Sequence, residues 1–317
     1  MKSSGIGGQA VLEGIMMRNA DKCAVAIRKP NQEIELKEMD CHGIFSNHKV
    51  LRTPFIRGAF NFIDSMVLGI KTLTYSATFF EEEAEEIKEK LGDKVTNKIF
   101  KEKAESVLIG FTVFVSIVIA VAVFMLLPFL LVDIINNFFN VTSPTLFAII
   151  EGIIRVGIFI AYILLISKMK DIQRTFMYHG AEHKCINCIE NGLPLTVENV
   201  MKSSKVHKRC GTSFLFIVMI ISIIFFVFIR VDNTILKLVI RLLLIPVIAG
   251  VSYEFLKLAG RKDNRLVNVL SKPGLWMQKL TTSEPDESMA EVAIEAVEAV
   301  FDWEKFQKEE TEAECRL

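Results

Sequence analysis

VLIGFTVFVSIVIAVAVFMLLPFLLV, residues 107–132, carries no charged side chain from end to end. A helix of that length exceeds the roughly 20 apolar residues needed to cross a hydrocarbon core about 30 Å thick. Three further runs approach that roughly 20-residue requirement: Leu146 to Ile166, Phe214 to Ile229, and Ile235 to Leu256 with Arg241 inside it. These runs concentrate the 51% hydrophobic content of a chain of 317 residues whose 37 acidic and 37 basic side chains balance. The expected fold class is mainly α: a polytopic membrane protein with four transmembrane helices and a small N-terminal strand-containing cytoplasmic cap.

Charge placement orients the spans. The connection between the second and third runs carries Lys168, Lys170, Arg174, Lys184, Lys202, Lys205, Lys208 and Arg209, whereas Asp133 to Pro144 has no basic residue. Lys and Arg are retained on the cytoplasmic side, so this connection and both termini are expected to face the cytoplasm. Met1-Lys2-Ser3-Ser4-Gly5 leads into glycines without an apolar core segment, so the first crossing is expected to direct insertion.

Outward from the spans, residues 1–53 read as a strand-rich cap. Alternating stretches at Val11 to Met17, Cys23 to Arg28 and Glu33 to Lys37 predict a three-stranded meander. Such a sheet needs a cover. Residues 54–105 hold an amphipathic helix and then a charged one: Ile56, Phe60, Ile63, Val67, Ile70 and Leu73 recur at helical spacing, and the segment either lies on the bilayer or packs on the meander. Residues 106–259 form the four-helix membrane domain, with the polar loop 167–212 inside it. Residues 260–317 are a cytoplasmic tail, basic with a Pro273-Gly274 turn and then acidic, expected to dock through Ile294, Val297 and Phe301.

The loop concentrates chemistry. It holds three of the five histidines and three of the six cysteines: His179, His183, His207, Cys185, Cys188 and Cys210. His179-Gly180-Ala181-Glu182-His183 reads H-x-x-E-H, which sets two imidazoles four residues apart on one helical face with a carboxylate beside the second. Nitrogen and thiolate donors at such spacing suit a divalent metal of the Zn²⁺ type.

Two assignments compete. In the catalytic one, His179 and His183 are ligands and Glu190, His207, Cys210 or Glu254 completes the set. A water is activated in the open position, and Glu182 is the general base for attack on a carbonyl or phosphoryl centre. In the structural one, Cys185, Cys188, His207 and Cys210 form a closed Cys₃His site. The first implies a metal-dependent hydrolase at the cytoplasmic face. The second implies a non-catalytic scaffold or assembly factor whose partner is another membrane protein or a second copy.

Other features carry less. Gly180 costs about 1 kcal/mol in the proposed helix relative to Ala. Arg209, Thr212 and Ser213 read as helix entry and capping. Glu151 and Arg155, four apart, and Arg241 read as pairing within the membrane, with a substrate path as the second reading. Cys23, Cys41 and Cys315 read as free thiols. Gly5, Gly7 and Gly8 suggest close backbone approach at a turn, since no Gly-Lys-Ser/Thr follows to make a phosphate loop. The lipid bilayer is the implied partner, and the absence of a basic recognition helix or stacking aromatic platform points away from nucleic acid.

The stretches Gly7 to Arg18 (GGQAVLEGIMMR), Tyr178 to Lys184 (YHGAEHK), Cys210 to Phe214 (CGTSF), Tyr253-Glu254-Phe255 and Glu284-Pro285-Asp286 resemble the bacterial DUF1385 family of YqhQ-like membrane proteins. The resemblance covers nearly the whole chain. It implies a bacterial inner-membrane protein and a metal-dependent enzyme of unspecified substrate. His179, Glu182, His183, His207 and Cys210 fall within or beside its motifs.

Overall fold

The computed structural model describes residues 3–41, 53–89, 98–139, 143–231, 233–261 and 265–314. Its N-terminal part is an antiparallel meander of four strands, β1 (Gly7–Val11), β2 (Gly14–Asn19), β3 (Lys22–Arg28) and β4 (Ile34–Asp40), in the order β1-β2-β3-β4. The stretch expected as one strand over Val11 to Met17 is split by a hairpin, with Val11 opposite Gly14 and Glu13 at φ 49°. Alternation continues across so short a turn, and no glycine at its centre announces it.

Side chains alternate across the sheet. Ile15, Met17, Ala24 and Ala26 point to one side and Val11, Met16, Val25 and Ile27 to the other, all buried. The second side also holds Cys23 and Cys41, paired as a disulfide where the sequence suggested free thiols. Register explains the pairing: Cys23 lies opposite Met39, and the antiparallel return of β4 carries Cys41 back to it across 18 positions. Cys315 lies outside the described residues.

Helix α1 (Ile56–Glu89) covers that second side with Leu68, Tyr75 and Phe79. Its apolar stripe points elsewhere. Ile56, Ile63, Met66, Val67 and Leu73 are exposed, while Thr72 and Ser76 are buried. The helix therefore uses one face on the sheet, the meander packing that the sequence offered, and among the described residues leaves a second, apolar face exposed.

Three helical segments among the described residues are long and apolar enough to cross a membrane: Gly110–Asn136, Pro144–Ile166 and Ile235–Leu258. The first is α2 (Lys98–Val121) joined through a π turn at Ala122–Leu126 to α3 (Leu127–Phe139); the others are α4 (Pro144–Ile166) and the core of α8 (Thr234–Arg261). The remaining run forms the shorter apolar α7 (Gly211–Val227), packed against α4 and α8.

Charge inside this bundle is paired. Glu151 of α4 accepts from Arg155 at 2.6 Å and from both terminal nitrogens of Arg241 of α8 at 2.7 and 2.8 Å. Arg155 also donates to Ser222 of α7 and to the carbonyl of Phe124, in the π turn where the regular helical ladder is interrupted. All three charged residues are buried, as pairing in a low-dielectric interior demands.

The polar loop is a helix, α5 (Lys170–Glu190), a short α6 (Val197–Lys202) and a return segment leading into α7. Helix α9 (Arg265–Thr281) continues through Pro273-Gly274, correcting the turn expected there. A Cβ on Gly274 would sit 2.9 Å from the Ser213 side chain, so glycine lets α9 close on α7, and that packing holds the helix through the proline. Helix α10 (Glu287–Glu298), capped by Asp286, slots between α5 and the first side of the sheet. Its buried face is broader than the expected stripe: Met289, Ala290, Ala293, Ala296 and Val297 are inaccessible, whereas Ile294 and Phe301 lie at its margin. Helix α11 (Trp303–Glu314) follows.

Candidate metal centre

His179 and His183 occupy successive turns of α5, with ring centroids 4.4 Å apart. Cys210 meets them from the N-cap of α7. The donor atoms of these three residues all lie within 4.8 Å of one another, and Nε2 of His179 is 3.1 Å from Sγ of Cys210. A tetrahedral ion with bonds of 2.0–2.3 Å sets its donors roughly 3.5 Å apart, a spacing that lies between the 3.1 Å contact and the 4.8 Å limit of the cluster.

The outer ring atoms are fixed by the main chain. Nδ1 of His179 donates to the carbonyl of Thr281 at 2.9 Å, and Nδ1 of His183 donates to the carbonyl of Lys205 at 2.7 Å. A carbonyl only accepts, so each Nδ1 carries a proton, and Nε2 is the ring nitrogen left to face inward. Burial holds the imidazole of His183 below the ordinary histidine range, which favours the neutral ligand form. At Cys210 the sulfur accepts from the backbone N–H of Thr212 at 3.4 Å and lies 3.1 Å from its hydroxyl. A helix N-terminus suits a sulfur bearing negative charge.

Each outer contact has a packing cause. Thr281 ends α9, and the following Ser283 pairs its N–H with the carbonyl of Phe176 on α5. This close passage requires Gly180, because a Cβ there would meet the Ser283 carbonyl at 2.1 Å. The Lys205 carbonyl is set by the return segment, which α5 straps down. Lys184 donates to the carbonyls of Met201 and Ser203, and Asn187 to those of Ser204 and Val206. Gln278 of α9 closes the segment by pairing with both backbone groups of His207 and with the Ser213 hydroxyl.

Glu182 is buried beside the pair, and its Oε1 accepts from the backbone N–H of Gly8 on β1 at 3.0 Å. Burial pushes its carboxyl above the ordinary range, against the pull of His179 and the Gly8 hydrogen bond. Of the three glycines at the start of the chain, only Gly8 makes a close approach, and it does so from strand β1, not from the turn expected there; Gly5 and Gly7 have open space around them.

The other candidate ligands lie elsewhere. Glu254 forms a two-pronged pair with Arg57 of α1, both contacts at 2.6 Å, which ties the end of α8 to that helix. His207 faces Glu190 at 3.3 Å, and Glu190 also takes Arg209 and both the backbone and hydroxyl of Ser4. Burial alone would raise the Glu190 carboxyl, but His207, Arg209 and Ser4 outweigh it and hold it down to about 2. Cys185 and Cys188 belong to the apolar core under α10, with Cys188 directed at the carbonyls of Leu193 and Pro194. A residue two positions beyond His183 is turned roughly 200° around the helix, away from the histidine face. Among the described residues, no group with metal-like donor spacing includes Cys185, Cys188 or His207. The carbonyls of Thr281 and Lys205 and the Gly8 amide had no signal in the sequence, since main-chain groups carry no residue signature.

The family described as "Protein of unknown function (DUF1385)" matches residues 53–303. The chain is also 34% identical over 298 residues to the "Uncharacterized protein YqhQ" of Bacillus subtilis (strain 168), covering 92% of this chain and 90% of that protein. No solved structure matches. By family match and by similarity along nearly its full length, the chain belongs to the DUF1385 family.

Proposed function

We propose that this protein is a divalent-metal-dependent hydrolase, zinc-type, that works at the cytoplasmic face of a bacterial inner membrane. The observation that carries the reading is the convergence of two Nε2 atoms on Cys210 while both Nδ1 atoms are committed to carbonyls. Purely structural histidines have no reason to share this arrangement, whereas metal ligands ordinarily do. Three protein donors leave the fourth tetrahedral position for water or substrate. An ion held there would supply Lewis acidity to a carbonyl or phosphoryl group.

Glu182 is the group we assign to proton transfer. Gly8 occupies Oε1, and Oε2 takes the proton of the attacking water. A carboxyl raised toward neutrality is a better base than an ordinary one. His179 and His183 would hold the ion, and their carbonyl partners keep the rings from turning.

Four crossings, with both termini on the cytoplasmic side, complete the proposal. Helix α7 begins at the candidate centre, and Phe214 near its start stacks 5.4 Å from Phe62 of α1. Helix α8 returns to α1 at Tyr253 and Glu254. We assign α7 the fourth crossing although it is shorter, because it is apolar throughout and packs against α4 and α8. The basic connection between α4 and α7 then faces the cytoplasm.

The test is elemental analysis of full-length protein extracted without chelator, beside His183→Ala and Glu182→Gln, with turnover measured on chromogenic carboxylic and phosphate esters. Wild type and Glu182→Gln should each hold about one ion per chain, His183→Ala none, and only wild type should turn over. Absence of a stoichiometric ion in wild type overturns the reading. A Glu182→Gln enzyme as active as wild type removes Glu182 from the chemistry. A metal-loaded wild type silent on every ester, with Glu182→Gln indistinguishable from it, favours the scaffold role.

A further inference from the structure

A cleft of about 590 Å³ opens between β1, β2, α1 and the last turn of the α8 span. Arg18, Arg209 and Lys257 line it, Arg209 also paired with Glu190 and Arg18 also donating to the carbonyls of Ala20 and Cys41, and no Asp or Glu is among the described lining residues. Its apolar wall comes from Ile6, Leu68 and Leu256.

Two walls are shared with the candidate centre. Gly8 lines the cleft and donates its N–H to Glu182, and Arg209 precedes Cys210 in the chain. The outer edge lies at the membrane boundary: Leu256 and Lys257 fall within the final turn of the segment Ile235–Leu258, which is long and apolar enough to cross. Beside the α1 lining residues Ser65 and Leu68, the neighbouring Ile63, Met66 and Val67 are exposed and apolar, a surface suited to the acyl boundary of a bilayer. Cationic groups and apolar walls in one cleft, at the depth where headgroups meet chains, match an anion joined to hydrocarbon.

We infer that this cleft binds the anionic phosphate headgroup of a membrane phospholipid, with the proximal acyl carbons against Leu68 and Leu256. As a binding site it stands on the cleft alone. As the substrate site of the hydrolase it rests on the metal-centre reading, and it makes that enzyme one that acts on phosphate-bearing lipids delivered from the bilayer.

The experiment titrates detergent-solubilised full-length protein with three soluble probes: dihexanoyl phosphatidylglycerol, dihexanoyl phosphatidylcholine and inorganic phosphate. Binding is followed by calorimetry, and metal content is measured on the same samples. The anionic lipid should bind most tightly. Lys257→Gln should weaken it about tenfold, the loss of one charge-assisted contact, with Lys257→Arg restoring it. Lys170→Gln, at an exposed site on α5, should have no effect, and thermal unfolding should show all variants folded. Equal binding of the two lipids, tighter binding of inorganic phosphate, or indifference to Lys257→Gln overturns the inference. Metal retained without lipid preference removes the cleft assignment alone. Lipid preference without metal removes the hydrolase reading alone.

Discussion

Nε2 of His179 lies 3.1 Å from Sγ of Cys210, although 31 positions separate the two residues and they sit on different helices, α5 and the N-cap of α7. That single approach divides the three cysteines of the loop into one donor and two core residues.

Cys210→Ser should therefore strip the metal, and the double variant Cys185→Ala, Cys188→Ala should keep it. The double change removes two buried sulfurs from the core under α10, with an expected loss of about 1–2 kcal/mol of stability. Metal content and denaturant unfolding on the same preparations measure both effects. Metal loss in the double variant with retention in Cys210→Ser would reverse the assignment.

Gly180→Ala tests the passage between α5 and the segment after α9. A methyl there meets the Ser283 carbonyl, so Ser283 must move and draw Thr281 with it. Overpacking of this kind costs about 1–3 kcal/mol. Because Thr281 holds Nδ1 of His179, metal affinity should fall about 10- to 100-fold, as loss of an outer partner does elsewhere. An alanine variant of unchanged stability and affinity would contradict the packing.

Glu182→Gln should raise the stability of the metal-free protein at pH 7. The folded state holds the Glu182 proton more tightly than the unfolded chain, where the value lies near 4.5. At pH below that ordinary value the carboxyl is protonated in both states. As pH climbs toward the folded-state value, it progressively weakens the fold. The gain from glutamine should thus grow with pH and vanish by about pH 4. Thermal midpoints of both proteins across that range, in chelator, decide it; a variant destabilised at every pH would show that the carboxylate is needed by the fold.

Glu151→Gln should be among the most damaging single changes. It leaves Arg155 and Arg241 facing each other in the bundle with no anion between them. Breaking a buried pair in this way costs about 3–5 kcal/mol. Unfolding in mixed micelles should register the loss, and a near-neutral result would mean that lipid or water replaces the carboxylate.

Cys23 and Cys41 give a readout of sidedness. Their side chains are close enough to form a disulfide, yet a cytoplasmic sheet would be kept reduced. Because both are buried, cells are quenched in acid and denatured in an alkylating reagent, which should label both thiols, whereas air-oxidised purified protein treated the same way should show the pair protected. A bond already present in cells would put the sheet outside and overturn the cytoplasmic assignment.

Much of the architecture was legible because it is written in local pattern. Runs such as residues 107–132 and Pro144–Ile166 announce helices through composition alone, since a bilayer offers no partner for an unpaired backbone. The H-x-x-E-H spacing announced that His179 and His183 stand together, because residues four apart share a helix face wherever the helix goes. The hairpin at Leu12-Glu13, the continuation of α9 through Pro273 and the Cys23–Cys41 pairing were not legible, because a turn, a helix contact and a strand register override local preference.

The sequence by itself determined that apolar helices bracket a polar segment rich in metal donors, and which histidines stand together on it. Only the tertiary structure decided that Cys210 joins them, that Glu254 goes instead to Arg57, and that the carbonyls of Thr281 and Lys205 aim both rings. The division follows from geometry. Helical periodicity sets the relative placement of residues a few positions apart, whereas donors on separate elements meet only when contacts such as Gly180 against Ser283 and Gln278 against His207 fix how those elements pack.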